Sequence, residues 1–148
     1  MKWTRVHLIV LIPLLVSACM SADLRQYGKI DNTQKSITVP PGGGLIAELK
    51  DILTKQGWTL VVDRGPDVIE GQSGESVKLK SYNTFNSRYR LLLSANRFDT
   101  CIGRMDGAYR YNMSMIDNKS GQEIMVMGGA ACESQIKGKF ESFLTSAN

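Results

Sequence analysis

Residues 37–62 read ITVPPGGGLIAELKDILTKQGWTLVV, and the blocks within this stretch set the class of fold. Ile37-Thr38-Val39 is a short β-branched run, the composition of a strand. Pro40-Pro41-Gly42-Gly43-Gly44 ends it, since such a run breaks regular structure and its glycines admit unusual backbone angles. Leu45, Ile46, Leu49, Ile52 and Leu53 then recur at i, i+1, i+4, i+7 and i+8, which is one apolar face of a helix. Glu48, Lys50, Asp51 and Lys55 take the remaining positions. Gly57 stands where a left-handed C-cap belongs, and Trp58 is placed to pack back onto the helix end. Residues 59–62 return as a strand, read here as buried on both faces.

Outward toward the C-terminus, residues 63–76 (DRGPDVIEGQSGES) hold three glycines, a proline and several acids, and read as a loop with Val68-Ile69 as a local anchor. Residues 77–82, 88–95 and 109–116 read as strands. Asp117-Asn118-Lys119-Ser120-Gly121 is a turn, and 122–127 is the partner strand of a hairpin. Gly128-Gly129 reads as a strand end or bulge. Ile136, Phe140, Phe143 and Leu144 mark a second amphipathic helix, in which Gly138 costs about 1 kcal/mol relative to Ala. The order β-α-β, further strands, then α predicts an α+β fold: a two-layer sandwich, a mostly antiparallel sheet with two helices on one face. The single domain is expected to span 36–148.

Outward toward the N-terminus, residues 20–35 are polar and aperiodic and read as a tether. Before them, Lys2 and Arg5 precede an apolar run over 6–16, which is too short for a bilayer span of ~20 residues. Val16-Ser17-Ala18-Cys19 closes that run and resembles the lipobox of bacterial lipoproteins. The resemblance implies cleavage before Cys19, loss of the signal peptide 1–18, and acylation of Cys19, with a lipidated tether over 19–35. Two or more acyl chains give stable anchoring. Met20 in place of Asp implies the outer membrane, and the domain is expected to face the periplasm.

An oxidising compartment changes the reading of the cysteines. With Cys19 acylated, Cys101 and Cys132 remain, and the periplasm favours pairing them; two buried free thiols are the alternative. A bridge closing about 30 residues contributes about 3–4 kcal/mol in the chain-entropy picture. The whole chain is +4, and removing Lys2 and Arg5 with the signal leaves +2, so global charge gives no reason to expect nucleic acid as a partner.

Strand alternation yields a candidate site. Tyr89, Leu91, Leu93 and Ala95 share one side of their strand, as do Tyr109, Tyr111, Met113 and Met115, and these sides are expected under the helices. Arg88, Arg90 and Arg110 point the other way, and Lys78 and Lys80 share a side of the preceding strand. If register permits, five cations line the open face. They either recognise an anionic glycan, lipid phosphate or acidic protein surface, or simply keep the face solvated. Met113, Met115, Met125 and Met127 on one hairpin fill the core or form an adaptable surface.

Other chemistries lack their residues. The one histidine is His7, inside the signal, so histidine-based catalytic and metal sites are absent from the mature sequence. Asp63, Asp67, Glu70 and Glu75 are clustered acids without a spacing that defines a glycosidase pair or a calcium loop. The 40–44 stretch lacks the Lys-Ser/Thr of a phosphate loop. No catalytic residue, metal ligand or cofactor is expected.

Tyr109 to Gln122, with Ile116-Asp117, Ser120-Gly121 and then Glu123-Ile124, together with Gly57-Trp58 before an apolar strand, resembles a hairpin-and-helix pattern of small envelope lipoproteins. The domain over roughly 36–145 is similar to the TolB amino-terminal type, also used by curli-secretion-like lipoproteins and by lipoprotein activators of penicillin-binding proteins. That resemblance implies a non-enzymatic module that docks on a larger envelope assembly. The expected partners are therefore the membrane, through the lipid, and an envelope protein or an anionic glycan or lipid.

Overall fold

The computed structural model describes residues 21–65, 67–73, 75–81 and 87–147, and within 67–81 the backbone alone. The elements run β1 (Ser21–Gln26), β2 (Ser36–Val39), α1 (Leu45–Lys55), β3 (Thr59–Val62), β4 (Asp67–Ser73), β5 (Glu75–Ser81), β6 (Tyr89–Cys101), β7 (Asp106–Asp117), β8 (Glu123–Cys132) and α2 (Glu133–Ser146). Six strands make one sheet in the order β1-β8-β7-β6-β2-β3, and β4 pairs with β5 in a separate ribbon. Three pairings of the large sheet are antiparallel, while β2 runs parallel to both β3 and β6.

Both helices cover the same face. Leu45, Leu49 and Leu53 of α1 and Ile136, Phe140 and Phe143 of α2 are buried with Tyr89, Leu91, Tyr109 and Tyr111 of the sheet. Met113, Met115, Met125 and Met127 are fully buried in this layer, so all four fill the core. The expected two-layer α+β sandwich is the observed fold. α1 ends as its sequence implies: Gly57 takes φ +81, and the amides of Gly57 and Trp58 reach the carbonyls of Thr54 (3.0 Å) and Leu53 (3.1 Å). Trp58 then turns inward and meets Tyr89 edge-on at 5.5 Å. Lys137 of α2 joins Glu48 of α1 at 2.5 Å, a contact that raises the lysine pKa.

Four expectations are corrected. The segment read as a tether is folded: Ser21–Gln26 pairs with β8, Ile30 is buried, and the Ile30 amide donates to the Ala147 carbonyl at 3.1 Å. Ala22 and Leu24 alternate with polar residues, enough to seat an edge strand. β3 is not buried on both faces, because it lies at the sheet edge with Thr59 and Val62 exposed. Residues 67–73 form a strand rather than a loop, pairing with β5, where 77–81 is a strand as expected. Gly128-Gly129 lies inside β8 rather than at its end, and Gly129 marks the close approach of β1: an added Cβ there would strike the Ser21 carbonyl. Cys19 and the expected signal lie outside the described residues. No described helix is long and apolar enough to cross a membrane.

Candidate functional site

Alternation along β7 turns Arg110, Asn112 and Ser114 away from the helices. Register sets Asn96, Ser94 and Leu92 of β6 beside them, and Ala130, Gly128 and Val126 of β8 on the other side. β1 extends the same rows with Ser21, Asp23 and Arg25. The result is a sheet face turned away from the helices that mixes Ser21, Ser94, Asn96, Asn112 and Ser114 with the aliphatic Leu92 and Val126 and with Arg110 and the paired Asp23 and Arg25. Pro40, Asp63, Leu92, Ser94, Asn112 and Ser114 border a shallow depression of about 340 Å³ on it.

The five expected cations do not act together there. Arg90 donates to Asp63 at 2.9 Å, and Arg88 donates to Asp117 at 2.6 Å. Asp117 also accepts from the amides of Lys119 (2.8 Å) and Ser120 (3.3 Å), so the turn after β7 holds the carboxylate in place for Arg88. Burial works to raise the Asp117 pKa, but those amides and Arg88 outweigh it and hold the group below its usual value. Arg110 lies over the Phe98 ring at 5.0 Å. Lys78 and Lys80 belong to the separate ribbon, where their backbone positions face Glu70 and Val68 across the ladder. Register therefore keeps the lysines off the arginine-bearing sheet, and two arginines are spent on internal ion pairs.

The acids are dispersed as well. Asp63 also accepts from the Gly65 amide at 2.9 Å, while Asp67 and Glu70 lie on β4 and Glu75 on β5. Cys101 and Cys132 are bonded to each other with their Cα atoms 6.0 Å apart, as the compartment argument predicted. The Asp106 carboxylate lies within 4.8 Å of both sulfurs, but the bond removes both thiols from any metal-donor set. Asp106 instead accepts from the Ser134 amide at 2.9 Å, and Ser134 holds its pKa low.

Beyond the disulfide the β6–β7 hairpin projects through Ile102-Gly103-Arg104-Met105. Sequence reading passed over this tip. Its signal was two large apolar residues around a Gly-Arg turn, bounded by a cysteine and an acid.

No protein-family model matches the chain, and no curated protein matches it. Among solved structures the chain is similar to a single-substitution variant of the PelC dodecamer from Paraburkholderia phytofirmans, with 12% identity, a TM-score of 0.51, and coverage of 86% of this chain and 97% of that one. A second crystal form of the PelC dodecamer from the same organism gives 12% identity and a TM-score of 0.49, covering 86% and 96%. The first of these likenesses establishes a shared fold at low sequence identity.

Proposed function

We propose that this chain is a non-enzymatic lipoprotein of the bacterial outer membrane, anchored through acylated Cys19, whose periplasmic domain docks onto a larger envelope assembly through its open sheet face. The observation that carries this reading is a sheet face whose β6 arginines are neutralised and which no described helix covers. Arg88 and Arg90 are already paired with Asp117 and Asp63, and what lies between them and Arg110 is the half-exposed Leu92 among the hydrogen-bonding Ser94, Asn96, Asn112 and Ser114. Such a surface suits a shape-matched polar partner better than a polyanion, which would need the cations free. The sequence supports the compartment through the lipobox resemblance of Val16-Ser17-Ala18-Cys19. The disulfide is consistent with an oxidising site.

The test is cross-linking of the acylated protein in living cells, followed by mass spectrometry. One envelope protein should be enriched, and Ser94→Arg with Asn112→Arg should abolish its recovery while the fold is retained. Recovery of lipopolysaccharide or glycan alone, lost with salt and with Arg110→Ala, would overturn the docking reading in favour of an anionic-ligand module.

A further inference from the structure

We propose that the β6–β7 hairpin tip, residues 102–105, inserts its apolar side chains into the surface of the same membrane that holds the Cys19 lipid, an inference that rests on the acylation proposed above. Ile102 is fully exposed and Met105 is 85% exposed. With Phe98 at 44%, this hairpin end carries three of the six large apolar side chains exposed among the described residues. Scattered exposed apolar residues are ordinary, whereas a cluster at the end of a projection marks a contact. Met105 also holds φ +57, a left-handed conformation that favours Gly or Asn over a long side chain. The turn keeps a bulky apolar group where a small one would fit with less strain.

The base of the tip is rigid. The disulfide ties Cys101 to Cys132, the Ser134 amide is held by Asp106, and the Arg104 guanidinium donates to the Ser134 hydroxyl at 2.9 Å. These bonds fix the tip to the junction of β8 and α2, so its side chains are presented rather than free to fold back.

Chain direction puts the start of β1 at the same end. Ser21, the first residue of β1, is opposite Ala130, which is opposite Arg110 of β7. From that row β7 runs back to Asp106 and the tip, roughly 16 Å at the rise of a strand. Cys19 precedes Ser21 by two residues, a reach of at most ~7 Å. Even at full reach toward the tip, an anchor two residues before Ser21 leaves the tip further out, by a margin comparable to the ~5–10 Å depth of the headgroup boundary. Arg104 lies within the tip itself, next to the exposed Met105, and a guanidinium there suits lipid phosphates. A bilayer surface supplies both chemistries at once, phosphate around an apolar interior.

The test uses the processed protein in vesicles of phosphatidylethanolamine and phosphatidylglycerol, with and without brominated acyl chains. Ile102→Trp serves as the reporter. Trp58 is buried, so the parent protein supplies the background. Bromine quenching of the variant should exceed that background several-fold, with blue-shifted emission, and adding Met105→Asp should reduce it. Water-like, unquenched emission from a protein whose mass shows acyl chains on Cys19 overturns the tip contact alone. Capture of a protein in living cells by a photo-cross-linker placed at position 102, together with no bromine quenching in vesicles, overturns it in favour of a protein groove. Absence of acyl mass on Cys19 overturns the anchoring reading, and the tip contact falls with it.

Discussion

Tyr111 has a buried hydroxyl with no hydrogen-bond partner among the described residues. Burial, with a smaller contribution from Asp23, pushes its pKa up to about 12. Because the folded value lies above the unfolded value of about 10, the neutral phenol is favoured by folding. That stability is complete below about pH 10 and is lost as pH rises toward 12. Tyr111→Phe keeps the ring and removes the unpaired hydroxyl, so it should raise stability by about 1 kcal/mol and flatten the alkaline loss. Urea unfolding at about pH 7 and pH 11 measures both effects. An equal or lower stability in the variant would mean that the hydroxyl has a partner. At this scale the sequence revealed which way Arg88, Arg90 and Arg110 point, because alternation follows from the strand itself. It did not reveal what they meet. Asp63 and Asp117 are 27 and 29 residues away from their partners, and only the folded register brings them together.

Elements with a strong period were legible for the same physical reason that they form. α1 and α2 bury one stripe each, so their apolar residues recur at helical spacing, and the methionine hairpin alternates because only one side of it faces the helices. β1 was missed, since Ala22 and Leu24 are too few to stand out against polar neighbours. Its strand conformation comes from pairing with β8, and Gly129 makes that pairing possible with φ +130 and no side chain beneath the Ser21 carbonyl. Gly129→Ala should therefore strip β1 from the sheet while leaving β6 and β7 paired. The expected cost is about 2 kcal/mol, and hydrogen exchange should show β1 amides losing protection with those of β7 unchanged. Uniform loss of protection would mean that β1 is integral to the whole core rather than an added edge. The first strand of the ribbon was misread as a loop because its glycines and acids carry turn composition, although Val68-Ile69 does fall within β4; the second was read as a strand from residue 77 onward.

At the scale of the whole molecule, the order of elements predicted the layers but not the sheet order. The parallel contact of β2 with β6 joins segments separated by the ribbon, and no local pattern encodes it. Two helices on one face followed from counting stripes; the open face followed from what was left over, and its charge did not. The folded N-terminal segment changes the geometry of anchoring most of all. Only Met20 separates Cys19 from a residue already in the sheet, so an acyl anchor would hold the domain against the bilayer instead of letting it range. A Gly/Ser insertion of about 20 residues between Met20 and Ser21 would span about 25 Å on average and dilute the domain away from that surface. Ser21 is an exposed edge residue, so the fold and its thermal unfolding should be unchanged, as should acylation. Quenching of the Ile102→Trp reporter by brominated lipid, and cross-linking to a membrane-fixed partner, should each fall several-fold. If both survive the insertion, contact is maintained by the affinity of the bound surfaces alone, and the short spacing from Cys19 to β1 has no part in positioning the domain.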